Sequence, residues 1–381
     1  MDNPLLALSL TDLRQRQSLK WRLYGEDVLP LWVAEMDVLP PEPVVRAVSE
    51  AMARGDTGYP WAPDYAEALA GFAQRRWGWA PEPRHARLVA NVMTGVSEVL
   101  RLVTGPGDAV VVNSPVYPPF YGFVHNLGRR VVEAPLSAAG RLDPETLAAA
   151  FVEGTRSGGR AAYLLSSPHN PTGAVHTVDE LTTAGELAAA HGVRVVVDEI
   201  HAPLVYAPAR FTPYLSLPVG ASAFSLMSAS KGFNLAGLNA ALALAGAGAT
   251  AELARMPEEA AFGASHLGVL AQAAALRDGD AWLEALLGGL DRNRRLLEEL
   301  LAQHLPEVGY RVPQATYLAW LDCRGLGLST DPAAVFRERG RVALSPGTGF
   351  GTGGEGHARL NFATSPTVLA QAVERMASAI G

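Results

Sequence analysis

Lys231 stands in the run Ser228-Ala229-Ser230-Lys231-Gly232-Phe233-Asn234-Leu235-Ala236-Gly237-Leu238, directly after the apolar stretch 223–227. A lysine that closes a buried strand loses hydration around its ammonium. Its pKa then falls and a nucleophilic amine is freed. An amine of that kind forms Schiff bases with carbonyl compounds. The S-x-S-K pattern also occurs on surface turns of unrelated proteins, and this stretch alone leaves both readings open. Three more polar clusters follow apolar runs in the same way. They are Asn113-Ser114-Pro115-Val116-Tyr117, Ser166-Ser167-Pro168-His169-Asn170-Pro171-Thr172-Gly173 and Asp198-Glu199-Ile200-His201. Asp198 closes the run 193–197, where a buried acid needs a partner.

Elements that could position these residues are legible around them. Seven apolar or β-branched runs, at 88–92, 109–112, 130–133, 161–165, 193–197, 223–227 and 240–244, alternate with stretches of helical length. The clearest helix covers 177–191, where Thr177 and Glu180 form a capping box and Gly192 supplies the stop. Near-continuous apolar strands with helical crossovers predict an α/β fold with a seven-stranded, mostly parallel sheet sandwiched by helices. The polar clusters then gather at the carboxyl ends of the strands, the edge where open α/β sheets bind ligands. Upstream, the first forty or so residues read as irregular, and helices are expected at 43–54 and 64–77. Beyond residue 249 the texture changes. Long helices are expected at 257–277 and 281–303, then short strands near 310–312, 317–322, 342–344 and 358–362, with helices at 332–338, capped by Asp331, and 366–380. The division expected is an N-terminal segment, 1–42, joining the small domain and the active site, a large domain, 43–275, and a small α+β domain, 276–381. The glycine-rich stretch 349–356 reads as mobile backbone and not as a phosphate cradle.

Composition narrows the function classes. The chain has 381 residues, 49% hydrophobic and 18% charged, which is globular and large enough for two domains. A formal net charge of −7 without a basic run argues against nucleic acid as a partner. The single cysteine, Cys323, cannot form an internal disulfide and suits a reducing compartment. No secretion signal and no membrane span are read, so the expected location is the cytoplasm.

Taken in order, Asn170-Pro171-x-Gly173, Asp198-x-x-His201, Ser228-x-Ser230-Lys231 and Arg359 within Ala358-Arg359-Leu360-Asn361-Phe362 resemble the fold-type I pyridoxal phosphate (PLP) enzymes related to aspartate aminotransferase. The resemblance covers essentially the whole chain. It is closer to the MalY/PatB type of cystathionine β-lyase. That type shows a Leu-Trp-Val-Ala-x-Met-Asp opening, here Leu31 to Asp37, and Pro-Val-Tyr-Pro-Pro-Phe, here Pro115 to Phe120.

The resemblance implies PLP as cofactor and a role for each matching residue. Lys231 would hold PLP and, once displaced by a substrate amine, take the Cα proton. Asp198 would face the pyridine nitrogen and keep it protonated. Asn170 would donate to the phenolic oxygen, and Tyr117 would stack on the ring. Gly95 and Val96, at the start of a helix over 96–103, would present amides to the phosphate, with Ser228 and Ser230 adding hydroxyls. Arg359 would clamp the substrate carboxylate with its fork. Tyr59 matches a tyrosine that reaches the neighbouring subunit's phosphate, which implies a homodimer with shared active sites. Asn239 stands where many transaminases have an arginine, a departure from the full phosphate shell. His169 and His201 without further ligands make no metal site. Trp32, Glu35, Asp37 and Tyr121 are candidates for lining the side-chain pocket.

The activity implied is β-elimination from L-cystathionine or another L-cysteine S-conjugate, giving a thiol, pyruvate and ammonia. His201 motivates it, because typical transaminases of this fold carry tyrosine three residues after the aspartate. Alternatives are an aminotransferase, which shares Lys231, Asp198 and Arg359, and a PLP-binding regulator without turnover.

Overall fold

The structure is a computed structural model that describes residues 2–381. The N-terminal segment is less irregular than its sequence suggests. It holds two short helices, Leu10–Arg14 and Leu19–Arg22, and a two-residue strand, β1 (Leu29–Pro30). Ser9 opens the first helix with a reciprocal cap. Its hydroxyl accepts from the Asp12 amide while the Asp12 carboxylate accepts from the Ser9 amide.

Seven strands make the main sheet: β2 (Arg87–Val89), β3 (Ala109–Val112), β4 (Arg130–Glu133), β5 (Ala161–Ser166), β6 (Arg194–Asp198), β7 (Phe224–Met227) and β8 (Ala241–Ala245). Their spatial order is β2-β8-β7-β6-β5-β3-β4. β8 is antiparallel to both neighbours, and the other pairings are parallel. The central strands read as continuous apolar runs because helices cover both faces. Val110 and Val112 of β3 pack with Val96 and Val99 in one core cluster, whereas Ala109 and Val111 pack with Leu147 and Phe151 in another. Register brings Ser166 of β5 beside Asp198 of β6, and Asp198 beside Leu226 of β7, along the carboxyl edge. The expected crossover helix forms as Val178–Ala190, with the Thr177–Glu180 box in place and Gly192 at φ +66° behind it.

Two helix boundaries differ from expectation. β2 ends at Val89, and the next helix runs over Val92–Val103, four residues earlier than expected. Asn91 starts it, its side-chain oxygen accepting from the Thr94 amide at 2.9 Å. The helix expected over 257–277 is broken. A 3-10 turn, Glu258–Ala261, precedes the helix His266–Asp278, which Ser265 caps through the Gly268 amide. Gly263 sits in the break with no room to spare, since a Cβ there would lie 2.9 Å from that of Ala90.

The helix Asp280–His304 follows. Beyond it come β9 (Gly309–Tyr310), β10 (Leu318–Asp322), β11 (Val342–Ala343), β12 (Ser345–Pro346) and β13 (His357–Asn361). Four of these form an antiparallel sheet ordered β12-β13-β10-β9, while β11 pairs in parallel with β1. The N-terminal segment is thus paired with β11 and, through the Asn361 amide donating to Leu31 O at 2.8 Å, tied to the second sheet. Asp331 caps Pro332–Glu338 as expected, accepting from the Ala333 amide. The glycine-rich stretch is anchored, contrary to its reading as mobile backbone. Phe350 O accepts from the Val116 amide at 2.9 Å, and the Thr352 amide donates to the Glu133 carboxylate. Among the described residues, no helix is long and apolar enough to cross a membrane.

Candidate active site

The carboxyl edge of the main sheet opens into a cavity of about 230 Å³ lined by Tyr117, Asn170, Asp198, His201, Ser228, Ser230 and Lys231, among others. They arrive from four strand ends. Tyr117 follows β3, Asn170 follows β5, Asp198 ends β6 and His201 lies three residues beyond. Lys231 lies four residues past the end of β7. Arg359 comes from β13 of the other sheet and reaches Asn170, donating from Nη1 to Oδ1 at 3.0 Å. Arg359 Nη2 donates to the Trp32 carbonyl at 3.0 Å and to Ser345 Oγ at 3.1 Å. Its Nε is buried without a partner among the described residues, and the Phe350 ring lies 5.1 Å from its guanidinium carbon. The N-terminal segment closes the floor, where Lys231 Nζ donates to Ala34 O at 2.8 Å. Asn234, at φ +58°, holds the lysine loop to the same segment by accepting from the Met36 amide and donating to the Met36 carbonyl.

The charges here are tuned by burial. Loss of water pushes the Lys231 amine down to about 8, and the Arg359 charge adds to that fall. Asp198 is raised to about 6 by burial, against the pull of its hydrogen bond from the Ile200 amide and of Lys231. Burial takes His201 down to about 3, helped by Lys231 and Arg359, so its ring is neutral at pH 7. Its Nδ1 has no partner among the described residues. Arg359 falls to about 10 through burial, and the Tyr117 phenol is raised by the same cause. An amine close to neutrality and a carboxyl share one enclosure, and a guanidinium stands behind its Asn170 wall. That set can bind an anionic amino acid and move a proton.

Several sequence expectations need correction. Gly95 and Val96 lie inside the helix and not at its start. The Gly95 amide is already bonded to Asn91 O at 3.0 Å, and Val96 is fully buried in the core. Asn91, Val92 and Met93 line the cavity instead, so the first-turn amides of Val92 and Met93 are the ones that can meet an anion. Asn91 before an apolar helical run was the readable signal. Asp37 is no pocket residue, since it is bound by Lys20 at 2.8 Å and by Trp21 Nε1 at 3.0 Å, both ion-pair partners buried. Glu35 accepts from Ser18, and Tyr121 donates to Glu133. Trp32 meets Arg359 through its carbonyl and packs its ring against Tyr24. Tyr59 is not among these corrections: it lies outside this chain's own cavity and is 94% exposed, the place a residue that serves a neighbouring subunit would take. Gln272, fully buried beneath the lysine loop, gave no sequence signal at all.

Comparisons with known proteins agree with this architecture. The family described as aminotransferase class I and II matches residues 26–376. A Mycobacterium tuberculosis protein, named provisionally as a cystathionine beta-lyase, is 55% identical over 99% of this chain and 98% of its own. The cystathionine beta-lyase PatB of Bacillus subtilis is 36% identical over 96% of this chain and 97% of its own. A crystal structure from Corynebacterium diphtheriae, described provisionally as a PLP-dependent beta-cystathionase, superposes with a TM-score of 0.91. It is 34% identical, and 98% of each chain is covered. A match over nine-tenths of the sequence, on a sheet whose carboxyl edge carries Asn170, Asp198 and Lys231, means that this chain belongs to the aminotransferase class I and II family.

Proposed function

We propose that this chain is a PLP-dependent carbon–sulfur β-lyase that cleaves L-cystathionine or a related L-cysteine S-conjugate to a thiol, pyruvate and ammonia. The carrying observation is the full-length kinship with relatives named as cystathionine beta-lyases. His201 at the third position after Asp198 supports the lyase over the transaminase reading.

The cavity fits PLP on its own chemistry. A flat ring bearing a phosphate, a basic nitrogen, a phenolic oxygen and a carbonyl carbon needs five kinds of partner. The chain offers the Val92 and Met93 amides with Ser230 for the phosphate, and Asp198 for the nitrogen. His201, with its unpartnered Nδ1, and Asn170 suit the phenolic oxygen, Tyr117 offers a ring face, and Lys231 offers the amine. Bound there, PLP supplies an electron sink for the pair released at the substrate Cα.

The protein residues then have defined tasks. Arg359 holds the substrate carboxylate and so fixes which Cα bond faces Lys231. Asp198, ionised above about 6, is the residue that would hold a proton on the ring nitrogen of bound PLP. The Lys231 amine, already depressed to about 8, takes the Cα proton as general base. The pair left at Cα forms the Cα=Cβ bond as the Cβ–S pair leaves with sulfur, the thiolate takes a proton to become the thiol, and water hydrolyses the released aminoacrylate to pyruvate and ammonia. His201 is neutral and donates a hydrogen bond without adding a positive charge.

A homodimer belongs to the same proposal. Tyr59, Trp61 and Phe262 are exposed to 94%, 66% and 75%, and their cover by a second copy would carry Tyr59 to the partner's phosphate. Cytoplasmic location is part of it too, supported by the free, buried Cys323. The test is acceptor-free turnover. Purified protein supplied with L-cystathionine and no keto acid should release pyruvate continuously, and Lys231→Ala should lose that release. Amino-group transfer to an added keto acid, with no thiol and no pyruvate released, would return the chain to the aminotransferase reading.

A further inference from the structure

The lysine loop has no regular structure between Met227 and Ala241, yet it is held in one shape from below. Gln272, on the helix His266–Asp278, is fully buried under it. Its Oε1 accepts from the Ala229 amide at 2.9 Å, from Ser228 Oγ at 2.8 Å and from Tyr65 OH at 2.7 Å. Its Nε2 donates its two hydrogens towards Ala240 O at 2.7 Å and Leu238 O at 3.2 Å, with Ser230 Oγ also near at 3.3 Å. The orientation is forced. A flipped amide would set oxygen against two carbonyls and NH2 against a backbone N–H. One side chain therefore joins the incoming end of the loop, 228–230, to its outgoing end, 238–240, and both to Tyr65 on the helix Pro63–Trp77.

We infer that Gln272 is the positioning residue for Lys231, fixing where its amine stands over the cavity without touching substrate or cofactor. This rests on the proposal that Lys231 carries the cofactor and takes the proton. Proton transfer is sensitive to placement, and a displacement near 1 Å costs about 100-fold in rate. Arg359 sits on the other sheet and does not share the Gln272 network, so carboxylate binding is spared. A role in stability alone would leave the chemistry of Lys231 untouched in any variant that still folds.

Two variants of the full-length holoenzyme test this. Gln272→Leu removes all the bonds at nearly constant volume. Gln272→Glu is isosteric, keeps an acceptor oxygen and loses the NH2 donors to Leu238 O and Ala240 O. Expected for Gln272→Leu are a fall in kcat of about 10- to 100-fold with KM within about 2-fold, and a displaced pH midpoint of the visible band of the Lys231-linked cofactor. Should that variant fail to fold, Gln272→Glu is decisive. Its kcat deficit relative to wild type should shrink as pH falls, because the protonated carboxyl can again donate to Ala240 O. Wild-type band midpoints and kcat in the folded variants would overturn the inference. Borohydride reduction of the wild type with peptide mapping separates the two levels. A cofactor mass missing from the Lys231 peptide would overturn the underlying functional reading instead.

Discussion

Arg359 commits one N–H to Asn170 and others to Trp32 and Ser345, while its Nε remains unused and buried. A lysine there could not make the same forked contact and would also abandon Asn170 or Trp32. Arg359→Lys should therefore raise KM for the amino-acid substrate about 10- to 100-fold, the equivalent of about 1.4 to 2.8 kcal/mol. Its kcat should change far less, and a steady-state series would show the split. A kcat loss at constant KM would place Arg359 in the chemical step instead. At this scale much was readable. Lys231, Asp198, Asn170, His201 and Arg359 are marked by the family resemblance; the structure brings the first four to one enclosure and joins Arg359 to it through Asn170. The backbone partners were not readable, because Ala34 O and Trp32 O act through groups every residue carries. Gln272 was hidden for a related reason, since an amide on an apolar helix announces nothing until its neighbours are known.

Helix starts decide what an element can bind, and here one was misplaced. The run 88–92 reads as a single strand, which places the helix start four residues late and makes Gly95 look like an anion ligand. Gly95 has another task. A Cβ there would lie 2.6 Å from Leu226 Cδ1 and 3.0 Å from Val89 Cγ2, so the helix Val92–Val103 lies against β7 and β2 only because that position is bare. Gly95→Ala should push the helix off the sheet, costing about 1 to 3 kcal/mol by overpacking. The Val92 and Met93 amides should move with it. Urea unfolding would give the first quantity and PLP titration the second, with both expected to weaken. Tighter cofactor binding in Gly95→Ala would contradict this placement of the phosphate. The sheet itself was legible, because burial on both faces writes itself as unbroken apolar runs. The break at Gly263 and Ser265 was not, since its cause is a close contact with Ala90, far away in sequence.

At the scale of the whole molecule, the N-terminal segment binds the parts together. β1 pairs with β11, Trp32 and Ala34 offer carbonyls to Arg359 and Lys231, and the buried Lys20–Asp37 pair locks the turn that follows. Desolvation offsets much of what such a buried pair gains, and removing one partner leaves the other charge uncompensated, so its value here is to hold one geometry. These joins are unreadable from sequence because the strands are two residues long, the partners are far apart in the chain and the carbonyls involved belong to any residue. Gly173 is a similar case, legible as a motif but not as a join. At φ +67° it meets Pro313, where a Cβ would come within 2.3 Å. Stability against pH is also a property of the whole chain. His169 and His176 are buried and depressed to about 3 and about 4, chiefly by loss of water. The unfolded chain takes up these protons near 6.5, so acidification from 6.5 towards 4 favours unfolding through them. Asp198 and Glu199, raised to about 6 and about 7, act oppositely as pH falls through the same range. His176→Gln removes one destabilising uptake. Its urea midpoint should therefore gain on wild type between pH 7 and pH 4.5, and parallel curves would refute the assignment. The central claim, a lyase built on an aminotransferase frame, is tested most directly by product stoichiometry. Thiol and pyruvate released from L-cystathionine should rise together, one to one, over many turnovers with no keto acid present. A single burst that stops as the cofactor converts to its amine form, without thiol, would contradict it.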